Sequence, residues 1–522
     1  MAGSLVAGGC ATDAPLFEGT LGGADYRRGH KLRDGGFPEP SGPEEQIGLL
    51  IAGGGVAGLA AGWRLAEAGF KHFALLELED TTGGNARSGR NTVSAYPLGA
   101  HYLPVPNQEA VALRHMLRGF GMLVGEQDGK PLYDPYQLCA DLEERLLWRG
   151  EWQEGLFPQS GLKSADIIER DAFNAAMKEF SQAIGEDGRP AFAIPMAYSS
   201  TDPLFTVLDS ESFAHWLDAH GWNSKILRAY VRYCCRDDYG TEPEQVSAWA
   251  GIHYFAARRG WAANDDGDRE LTWPEGNGRL VSRMAASFSS RICAGRSVFR
   301  VARDGENVLV DSFDHARQRS VRTRAKGAIL AMPQFVASYV APDTRKDGFS
   351  YAPWVVANVT VSRHPRGKGV PLAWDNVSTG SNSLGYVVAT HQTESGGDGP
   401  TVLTWYLPLS DMPPQRARKL MLSRTLPEWQ AIVRDDLLMI NPDLAGAIKR
   451  IDVWRWGHAM IRPTPGFLMN PARKAARELI PPIVHAHSDL SGLSLFEEAH
   501  YRGVIAAETS MRYLNHPFES LA

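Results

Sequence analysis

The most regular pattern of hydrophobic and polar positions lies near the N-terminal end of the chain. Residues 47–52 form a short continuous apolar run, the pattern of a parallel strand that is covered on both faces. A glycine-rich turn and a helical pattern over residues 56–68 follow, and Gly69 suits the left-handed position after a helix. Residues 73–78 are apolar again. This order of strand, helix and strand predicts an α/β domain with a parallel sheet.

The glycines of the first turn match the pattern G-x-G-x-x-G. Gly53 permits the tight turn, Gly55 lets a pyrophosphate approach the backbone, and Gly58 lets the helix lie close to the strand. The amides at the helix N-terminus then face the phosphate. Glu77 lies 19 residues after Gly58, near the roughly 20-residue spacing of an acid that accepts hydrogen bonds from ribose hydroxyls. The turn therefore predicts a dinucleotide with an unphosphorylated ribose.

A second glycine pair, Gly83-Gly84, stands six residues after Glu77, and "AYPLGAHYL" follows it. These segments resemble the flavin signatures of the flavin-containing amine oxidase, protoporphyrinogen oxidase and phytoene desaturase superfamily. The resemblance implies that the dinucleotide is FAD and that the glycine pair passes close to its diphosphate and ribityl. No cysteine follows Cys293, so a cysteinyl link in the C-terminal segment is excluded and noncovalent FAD is expected.

The resemblance also assigns roles to individual residues. Many relatives have Arg directly after the glycine pair, where this chain has Asn85, so the phosphate-side cation is assigned to Arg87. Asp489 is expected to contact the ribityl, and a helix-capping aspartate is the alternative. The complete predicted cofactor site is Gly53, Gly55, Val56, Ala57, Gly58, Glu77, Gly83, Gly84, Asn85, Arg87, Gly99, Ala100, His101, Val298 (through its backbone, to adenine), Asp489 and Leu495.

Segments similar to this superfamily return at "WPEGNGRLVSRMA", at residues 325–333 and at residues 482–514, so the nucleotide domain is expected to be discontinuous. The predicted fold is α/β: a Rossmann-like FAD-binding domain and an α+β substrate domain that contains an antiparallel sheet. The predicted boundaries are residues 46–104, 270–345 and 450–522 for the FAD-binding domain, residues 105–269 and 346–449 for the substrate domain, and residues 1–45 for an N-terminal arm or signal remnant.

The N-terminal segment leaves the location of the protein open. "MAGSLVAGGCATDAP" resembles the end of an export signal with a lipoprotein cleavage site at Cys10, but the positively charged start is missing. The expectation is a cytoplasmic protein, and a lipoprotein anchored through Cys10 is the alternative. No stretch approaches the roughly 20 apolar residues of a transmembrane helix.

Composition narrows the classes of function. The 522 residues are 43% hydrophobic and 22% charged, as in a globular protein with several cores. A net charge of −6 provides no basic field for nucleic acid. The five cysteines show no spacing that suits a metal site. We therefore expect no nucleic acid and no metal, the resemblance implies a small organic substrate, and the sequence does not predict the oligomeric state.

The catalytic residues are less certain than the cofactor site. Amine oxidases of the superfamily hold a lysine in one strand of the substrate domain. The segment of this chain that resembles that strand is "NVTVSRHPRG", which has Arg363 near the lysine position. These oxidases also have an aromatic ring at the position where this chain has Leu495. His101 is expected to touch the flavin or the substrate, and a packed, hydrogen-bonded histidine is the alternative. His101 and Arg363 are the catalytic candidates.

Two further groups of residues are ambiguous. The charged group Arg236-Asp237-Asp238 either binds a cationic substrate or orders the pocket wall, but helix capping and a surface ion pair explain it as well and are favoured. Aromatic side chains either line an apolar pocket or fill the core, and the core is the more common place. They are Trp374, Tyr386, Trp405 and Tyr406.

The leading hypothesis is an FAD-dependent oxidoreductase that takes a hydride from a C–N or C–C bond, as amine oxidases do, and passes the electrons to oxygen or another acceptor. A desaturase or isomerase of an apolar polyene- or porphyrin-like substrate is the first alternative, because it tolerates the missing lysine and ring. A flavoprotein whose cofactor is structural and whose surface recruits a partner is the second.

Overall fold

The computed structural model describes residues 16–265, 269–393 and 399–522. Cys10, the predicted lipid attachment site, lies outside these residues. None of the helices within the described ranges combines the length and the apolar character that crossing a bilayer requires.

The strands are β1 (Leu21–Gly23), β2 (Glu45–Ala52), β3 (Phe73–Leu76), β4 (Ser88–Arg90), β5 (Ala95–Pro97), β6 (Tyr102–Pro104), β7 (Leu123–Gln127), β8 (Lys130–Tyr133), β9 (Glu144–Trp148), β10 (Glu151–Glu154), β11 (Glu270–Thr272), β12 (Ile292–Cys293), β13 (Arg296–Asp304), β14 (Asn307–Asp314), β15 (Arg319–Leu330), β16 (Tyr351–Val361), β17 (Asp375–Ser378), β18 (Tyr386–Val388), β19 (Thr401–Pro408), β20 (Ile448–Ile461) and β21 (Ile483–His485). The α-helices are α1 (Tyr26–Asp34), α2 (Val56–Glu67), α3 (Val111–Gly119), α4 (Ser164–Gln182), α5 (Pro203–Thr206), α6 (Phe213–Ala219), α7 (Lys225–Tyr239), α8 (Ala248–Ala256), α9 (Gly278–Ala286), α10 (Gln334–Val340), α11 (Pro414–Ser423), α12 (Leu426–Ile440), α13 (Pro471–Ala476) and α14 (Phe496–Tyr513).

The first sheet has the order β12-β3-β2-β15-β14-β13, and β21 adds to β15. Its parallel part contains β12, β3, β2, β15 and β21, and α2 connects β2 to β3. Gly53 ends β2 at a φ of +112°, where an added Cβ would collide with the carbonyl of Ala331. Only glycine fits there. This sheet confirms the predicted α/β class and the Rossmann-like topology.

Helix α14 returns the end of the chain to this sheet and packs on α2. The close approach depends on Gly503, because a Cβ there would overlap the carbonyl of Ala57 and lie 2.9 Å from the Cβ of Ala60. Leu59, Ala60, Val504 and Ala507 are fully buried in the shared core. The first and last segments of the nucleotide domain are therefore held together by small residues at one helix contact.

The second sheet has the order β1-β20-β16-β19-β18-β17-β9-β10. Strand β16 pairs antiparallel with both β19 and β20, as expected for a substrate domain with an antiparallel sheet. The predicted boundary at residue 450 is wrong, because residues 450–461 belong to β20 and pair with β16. A single strand continues across the boundary, so the last cofactor-domain segment begins after Ile461.

Local turns explain several other connections. Strands β9 and β10 form a hairpin at Arg149 and Gly150, with φ values of +51° and +83°, as two-residue hairpin turns require. Strands β13 and β14 form a hairpin just after Asp304. Strand β21 ends at His485, and residues 488–490 form a turn of 3₁₀-helix.

The segment predicted to be an arm contains regular structure. Strand β1 pairs in parallel with β20, where Leu21 lies opposite Val453. The side chain of Asp25 accepts hydrogen bonds from the first amides of α1. None of the residues of α1 is buried, so the helix lies on the surface, as a polar segment without its own core should.

Candidate functional site

The two glycine clusters lie against each other. The amide of Gly83 donates a hydrogen bond to the carbonyl of Gly54 at 2.7 Å. An added Cβ at Gly84 would lie 3.1 Å from the Cα of Gly55, whereas a Cβ at Gly55 would meet no atom within 4 Å. Open space therefore remains beside Gly55, at the start of α2, where no side chain caps the helix amides. We call Gly53–Gly55, Gly83 and Gly84 the glycine cradle.

Val56, Ala57 and Gly58 form the first turn of α2, as the sequence predicts, and Gly58 permits the close approach of the helix to Gly53. These amides point along the helix axis toward the cradle, where the helix dipole favours an anion. An uncapped helix start with open space beside it fits a diphosphate.

Glu77 holds the cradle. Its carboxylate accepts hydrogen bonds from the amides of Gly54 at 2.5 Å and Glu79 at 2.8 Å. Burial raises the pKa of Glu77, and these two amides act in the opposite direction. The amide of Arg296 donates to the Glu77 carbonyl at 2.7 Å, which brings β13 and Val298 to the same edge. The structure thus places the acid and the adenine-side strand together, and their contacts with a nucleotide stay predictions.

Arg87 lies under the cradle. Its guanidinium donates to the carbonyl of Gly84, pairs with Glu79 at 3.3 Å, and lies 5.3 and 5.2 Å from the rings of Trp454 and Trp456. Asn85 donates to the carbonyl of Ala459 at 2.5 Å and leads directly into the cavity described next.

A cavity with an empty volume of about 780 Å³ lies between the cradle and the second sheet. Its walls come from the segment after β5, from α7, β16, β19 and β20, and from the start of α14. The walls of the cavity include Asn85, Gly99, Ala100, His101, Tyr102, Asp237, Asp238, Arg258, Asn277, Trp354, Val356, Tyr406, Trp456, Leu495, Phe496 and Glu497.

His101 lines the cavity and is also packed in aromatic rings. Its ring stacks on Tyr406 at 4.5 Å and lies 5.6 Å from Trp374. Burial lowers the pKa of His101 to about 4, although its hydrogen bond with Gly99 acts the other way. The imidazole is therefore neutral at pH 7. The ring is packed, as the alternative interpretation of His101 expected, and it also borders the cavity, so its contact with the flavin or the substrate stays a prediction.

One wall of the cavity is acidic. Arg258 binds Asp238 through two contacts of 2.7 and 2.9 Å. Burial, followed by the charge of Asp238, raises the pKa of Asp237 to about 7. Burial also raises the pKa of Glu497 to about 7. This wall therefore changes its charge near neutral pH.

The start of α14 borders the cavity at Leu495, its N-cap, and no side chain caps this helix. Phe496 supplies a ring one position after the place where the family comparison expected one. The amides at the start of α14 face the same space as Ala100 and His101.

Arg363 and Asp489 lie elsewhere. Arg363 follows the far end of β16 and donates to the carbonyl of Asp443, so the structure does not bring it to the cavity.

Asp489 is fully buried and accepts hydrogen bonds from the Gln334 amide at 2.8 Å and the Tyr351 hydroxyl at 2.7 Å. Burial alone would raise the pKa of Asp489, but nearby His487 and these two hydrogen bonds lower it below its ordinary value. Asp489 therefore joins separate chain segments, and its ribityl contact stays a prediction.

Sequence reasoning missed several wall residues. Trp354 and Val356 are two residues apart on β16, so their side chains lie on the same face of the strand. The sequence does not show that this face meets the cavity. Asp237 and Asp238 lie in the charged group that the sequence assigned to structure, and the cavity now includes them. Of the four ambiguous aromatics, Tyr406 lines the cavity, whereas Trp405 and Tyr386 are buried in the core behind the sheet.

These features define a class: a dinucleotide-binding α/β protein in which a second, mainly antiparallel sheet closes a cavity beside the nucleotide cradle. A family model described as an NAD(P)-binding Rossmann-like domain matches residues 51–120. The chain also resembles a solved structure of wild-type putrescine oxidase bound to putrescine, with a TM-score of 0.66 and 17% identity over 91% of this chain and 100% of that one.

Two curated relatives agree with this class. L-amino-acid oxidase of Echis ocellatus is 29% identical over 119 residues, 23% of each chain. Flavin-containing amine oxidase B of Bos taurus is 24% identical over 296 residues, 55% of this chain and 50% of that protein. The chain thus matches a quarter to half of the length of these relatives. The predicted resemblance to flavin-containing amine oxidases is confirmed, and the fold is that of flavin amine oxidases.

Proposed function

We propose that this protein is an FAD-dependent oxidoreductase that oxidises a C–N bond of a small amine. The observation that carries the proposal is the continuity of two sites: Asn85 follows the glycine cradle directly and lines the cavity that holds His101 and the acidic wall. A dinucleotide in the cradle therefore has its reactive end beside groups that attract a cationic nitrogen. The sequence similarity to amine oxidases supports the same conclusion.

The residues present fit FAD. The open space at Gly55, the uncapped start of α2 and the buried acid Glu77 suit a diphosphate and a ribose. When bound, FAD accepts two electrons and a proton as a hydride equivalent from the substrate carbon. The uncapped start of α14 presents its positive end to the cavity, a position that favours added negative charge.

The chain's own residues position the substrate. Tyr406, Trp456 and Phe496 provide rings that exclude water and hold the carbon chain. His101 is neutral at pH 7 and so places no positive charge beside an ammonium. Asp237 and Glu497, with pKa values raised to about 7, supply acceptors for N–H groups and take up or release protons near neutrality.

The acidic wall favours an amine over an apolar polyene. An apolar substrate would leave the carboxyl groups of Asp237 and Glu497 facing hydrocarbon without giving them a partner, at a cost of about 1–3 kcal/mol for each group. An ammonium offers a partner to the same groups. The cavity therefore suits a cationic substrate better than an all-carbon one.

We also propose that FAD is held without a covalent bond. None of the cavity-lining residues is a cysteine, and Cys139, Cys234 and Cys235 are buried elsewhere. Denaturing the purified protein in acid and separating it from small molecules tests this proposal. Free FAD in the filtrate is the expected result, whereas flavin that stays with the precipitate contradicts it.

The test of the activity is anaerobic mixing of the purified protein with panels of amines and polyenes. Bleaching of the flavin absorbance by amines, and recovery of the colour on admission of oxygen, is the expected outcome. Bleaching by polyenes alone would replace the proposal with a desaturase. An unbleached flavin with every compound would favour a structural cofactor.

A further inference from the structure

A second cavity lies apart from the one beside the glycine cradle and has an empty volume of about 990 Å³. Its walls come from residues 196–201, from α5 and α8, and from the segment of α13. The two cavities share no wall residue among those that the structure describes. Among the described wall residues of the second cavity, none is acidic and four are cationic: Arg189, Arg473, Lys474 and Arg477. These four side chains, which we call the basic group, give the cavity a positive wall.

The charge of the basic group is not paired within the described part of the chain, where none of its members forms an ion pair with a carboxylate. Arg473 and Arg477 are one helical turn apart, a spacing at which like charges repel. Arg473 is only 1% exposed, so water screens its charge less than it screens a surface arginine. The fold thus concentrates positive charge without a counterion, an arrangement that suits a bound anion.

Among the described residues, the guanidinium of Arg473 has only uncharged hydrogen-bond partners. They are the carbonyls of Leu468 at 2.8 Å, Leu490 at 2.6 Å and Ser491 at 3.0 Å. Burial, followed by the charges of Arg477 and Arg502, lowers the pKa of Arg473 to about 9. Asp209 and Glu498 act in the opposite direction but do not reverse the shift. The three carbonyls therefore fix the direction of the guanidinium and leave its charge to be balanced by a bound anion.

Trp249 provides an independent sign of a ligand. It is 0% exposed and lines the cavity, and its indole Nε1 has no hydrogen-bond partner among the described residues. Its ring stacks on His253 at 4.9 Å, which limits the rotation of the indole. The indole N–H is only a donor, and buried donors are normally paired. This donor fits an oxygen atom of a bound molecule.

The remaining walls leave room for an organic group. They include four apolar side chains, those of Met196, Pro203, Val207 and Met469. Asp187 does not line the cavity, and its carboxylate accepts hydrogen bonds from the Ser200 hydroxyl at 2.8 Å and the Thr201 amide at 2.9 Å. These bonds hold the wall formed by residues 199–201. The cavity therefore combines a positive side with an apolar one.

We propose that this second cavity binds a phosphate monoester, whose phosphate group contacts the basic group and the indole N–H of Trp249 and whose organic part lies against the apolar side. A phosphate monoester carries about −1.5 to −2 charges at pH 7 and has three strong acceptor oxygens, which match several cations better than a singly charged carboxylate does. Arginine binds such oxygens through its planar fork of N–H donors. The site is separate from that of the proposed function and does not depend on it.

The test uses the purified protein supplied with FAD, so that the glycine cradle is filled and cannot bind the probe. Titration calorimetry compares phenyl phosphate with toluenesulfonate, which has a similar ring and three oxygens but a single negative charge. We expect phenyl phosphate to bind at least about tenfold more tightly, because its second charge meets the basic group. Equal affinities for the two compounds would overturn the proposal.

Variants locate the bound phosphate. Lys474→Gln and Arg477→Gln should each weaken the binding of phenyl phosphate about tenfold, since each removes one charged contact. The matched control is Lys419→Gln, at an exposed lysine in α11 that does not line the cavity, which should leave the affinity unchanged. Trp249→Phe keeps an aromatic ring without the N–H and should weaken binding about threefold or more.

A phosphate monoester is found both in soluble compounds and in the headgroup of phosphatidic acid. Sedimentation with phosphatidylcholine vesicles that contain or lack phosphatidic acid distinguishes these sources. Retention on the phosphatidic acid vesicles alone, reversed by phenyl phosphate, supports the proposal with a lipid headgroup as the ligand. Tight binding of phenyl phosphate without retention on either kind of vesicle supports it with a soluble ligand.

Two further results would contradict the proposal. One is a wild-type protein that binds neither phenyl phosphate nor phosphatidic acid vesicles. The other is binding that survives both Lys474→Gln and Arg477→Gln, because the phosphate would then lie elsewhere. The measurements on the wild-type protein decide even if a variant does not fold. None of these results bears on the oxidation of amines, so this proposal and the proposed function can fail separately.

Discussion

At the scale of single residues, the missing side chain of Gly55 is the clearest requirement of the cofactor site. A Cβ there would meet no atom of the described residues within 4 Å, and the backbone has a φ of −71°, which any residue adopts. Neither space nor backbone conformation within the protein demands glycine at this position. The cofactor does, because a side chain would occupy the space where a pyrophosphate approaches the backbone.

We predict that Gly55→Leu folds but loses FAD. The leucine side chain extends into open space, so the free energy of unfolding of the cofactor-free protein should change by less than about 0.5 kcal/mol, which is less than about 1 °C in melting temperature for a chain of this length. The ratio of flavin to protein absorbance measures the loss. Gly119→Leu, at an exposed glycine in α3 that also has no atom within 4 Å of an added Cβ, is the control. A Gly55→Leu protein with wild-type flavin content contradicts the cradle.

Asp237 leads to a prediction about stability and pH. Its pKa is about 7 in the folded protein against an ordinary value of 3.8, so between these values the folded state holds a proton that the unfolded state has lost. The contribution of Asp237 to the stability of the wild-type protein should therefore fall as pH rises from about 4 to about 7. Asp237→Asn removes this loss. It should stabilise the protein by about 1–3 kcal/mol at pH 8 and by almost nothing at pH 4.

Thermal unfolding of the wild-type protein, Asp237→Asn and Asp128→Asn between pH 4 and pH 8 checks this prediction. The last variant, at an exposed position, should follow the wild-type curve. An Asp237→Asn protein that is less stable than the wild type at pH 8 would show that the carboxylate is charged and paired in the folded state.

At the scale of elements, the contact between α2 and α14 joins chain segments that are more than 400 residues apart. Gly503→Ala adds a Cβ that overlaps the Ala57 carbonyl, a backbone atom that cannot turn away. We predict a loss of about 1–3 kcal/mol from overpacking, larger than the gain of up to about 1 kcal/mol from better helix propensity. Thermal unfolding measures it. The control is Gly29→Ala in α1, where an added Cβ would have no described atom within 4 Å, so this variant measures the effect of helix propensity alone. Equal melting temperatures for the two variants would refute the packing account.

The elements also show what the sequence can predict. Strand β2, helix α2 and strand β3 follow from one apolar run, one glycine turn and one helical period, because each of these is a local pattern. Strand β20 crosses a predicted domain boundary because its partner β16 lies about 100 residues earlier, and pairing over such a distance leaves no local pattern. The position of Asp237 was missed for the same reason: the cavity beside it is formed by β6, β16 and β19.

At the scale of the whole molecule, one cavity lies where the parallel sheet and the antiparallel sheet meet. The glycine cradle belongs to the first sheet, the rings of Trp354 and Tyr406 belong to the second, and the acidic wall comes from helices α7 and α14. Motif resemblance predicted the first of these parts well, since nucleotide binding depends on backbone geometry that a short glycine pattern encodes. It did not predict the acidic wall, which depends on side chains that only the complete fold brings together.

The most direct test of this account is the visible absorption spectrum of the gently purified wild-type protein, with and without added FAD. The account predicts the absorption bands of an oxidised flavin, at about one flavin per chain after FAD is supplied, because separated segments of the chain form one continuous site. A colourless protein that takes up no FAD would contradict it.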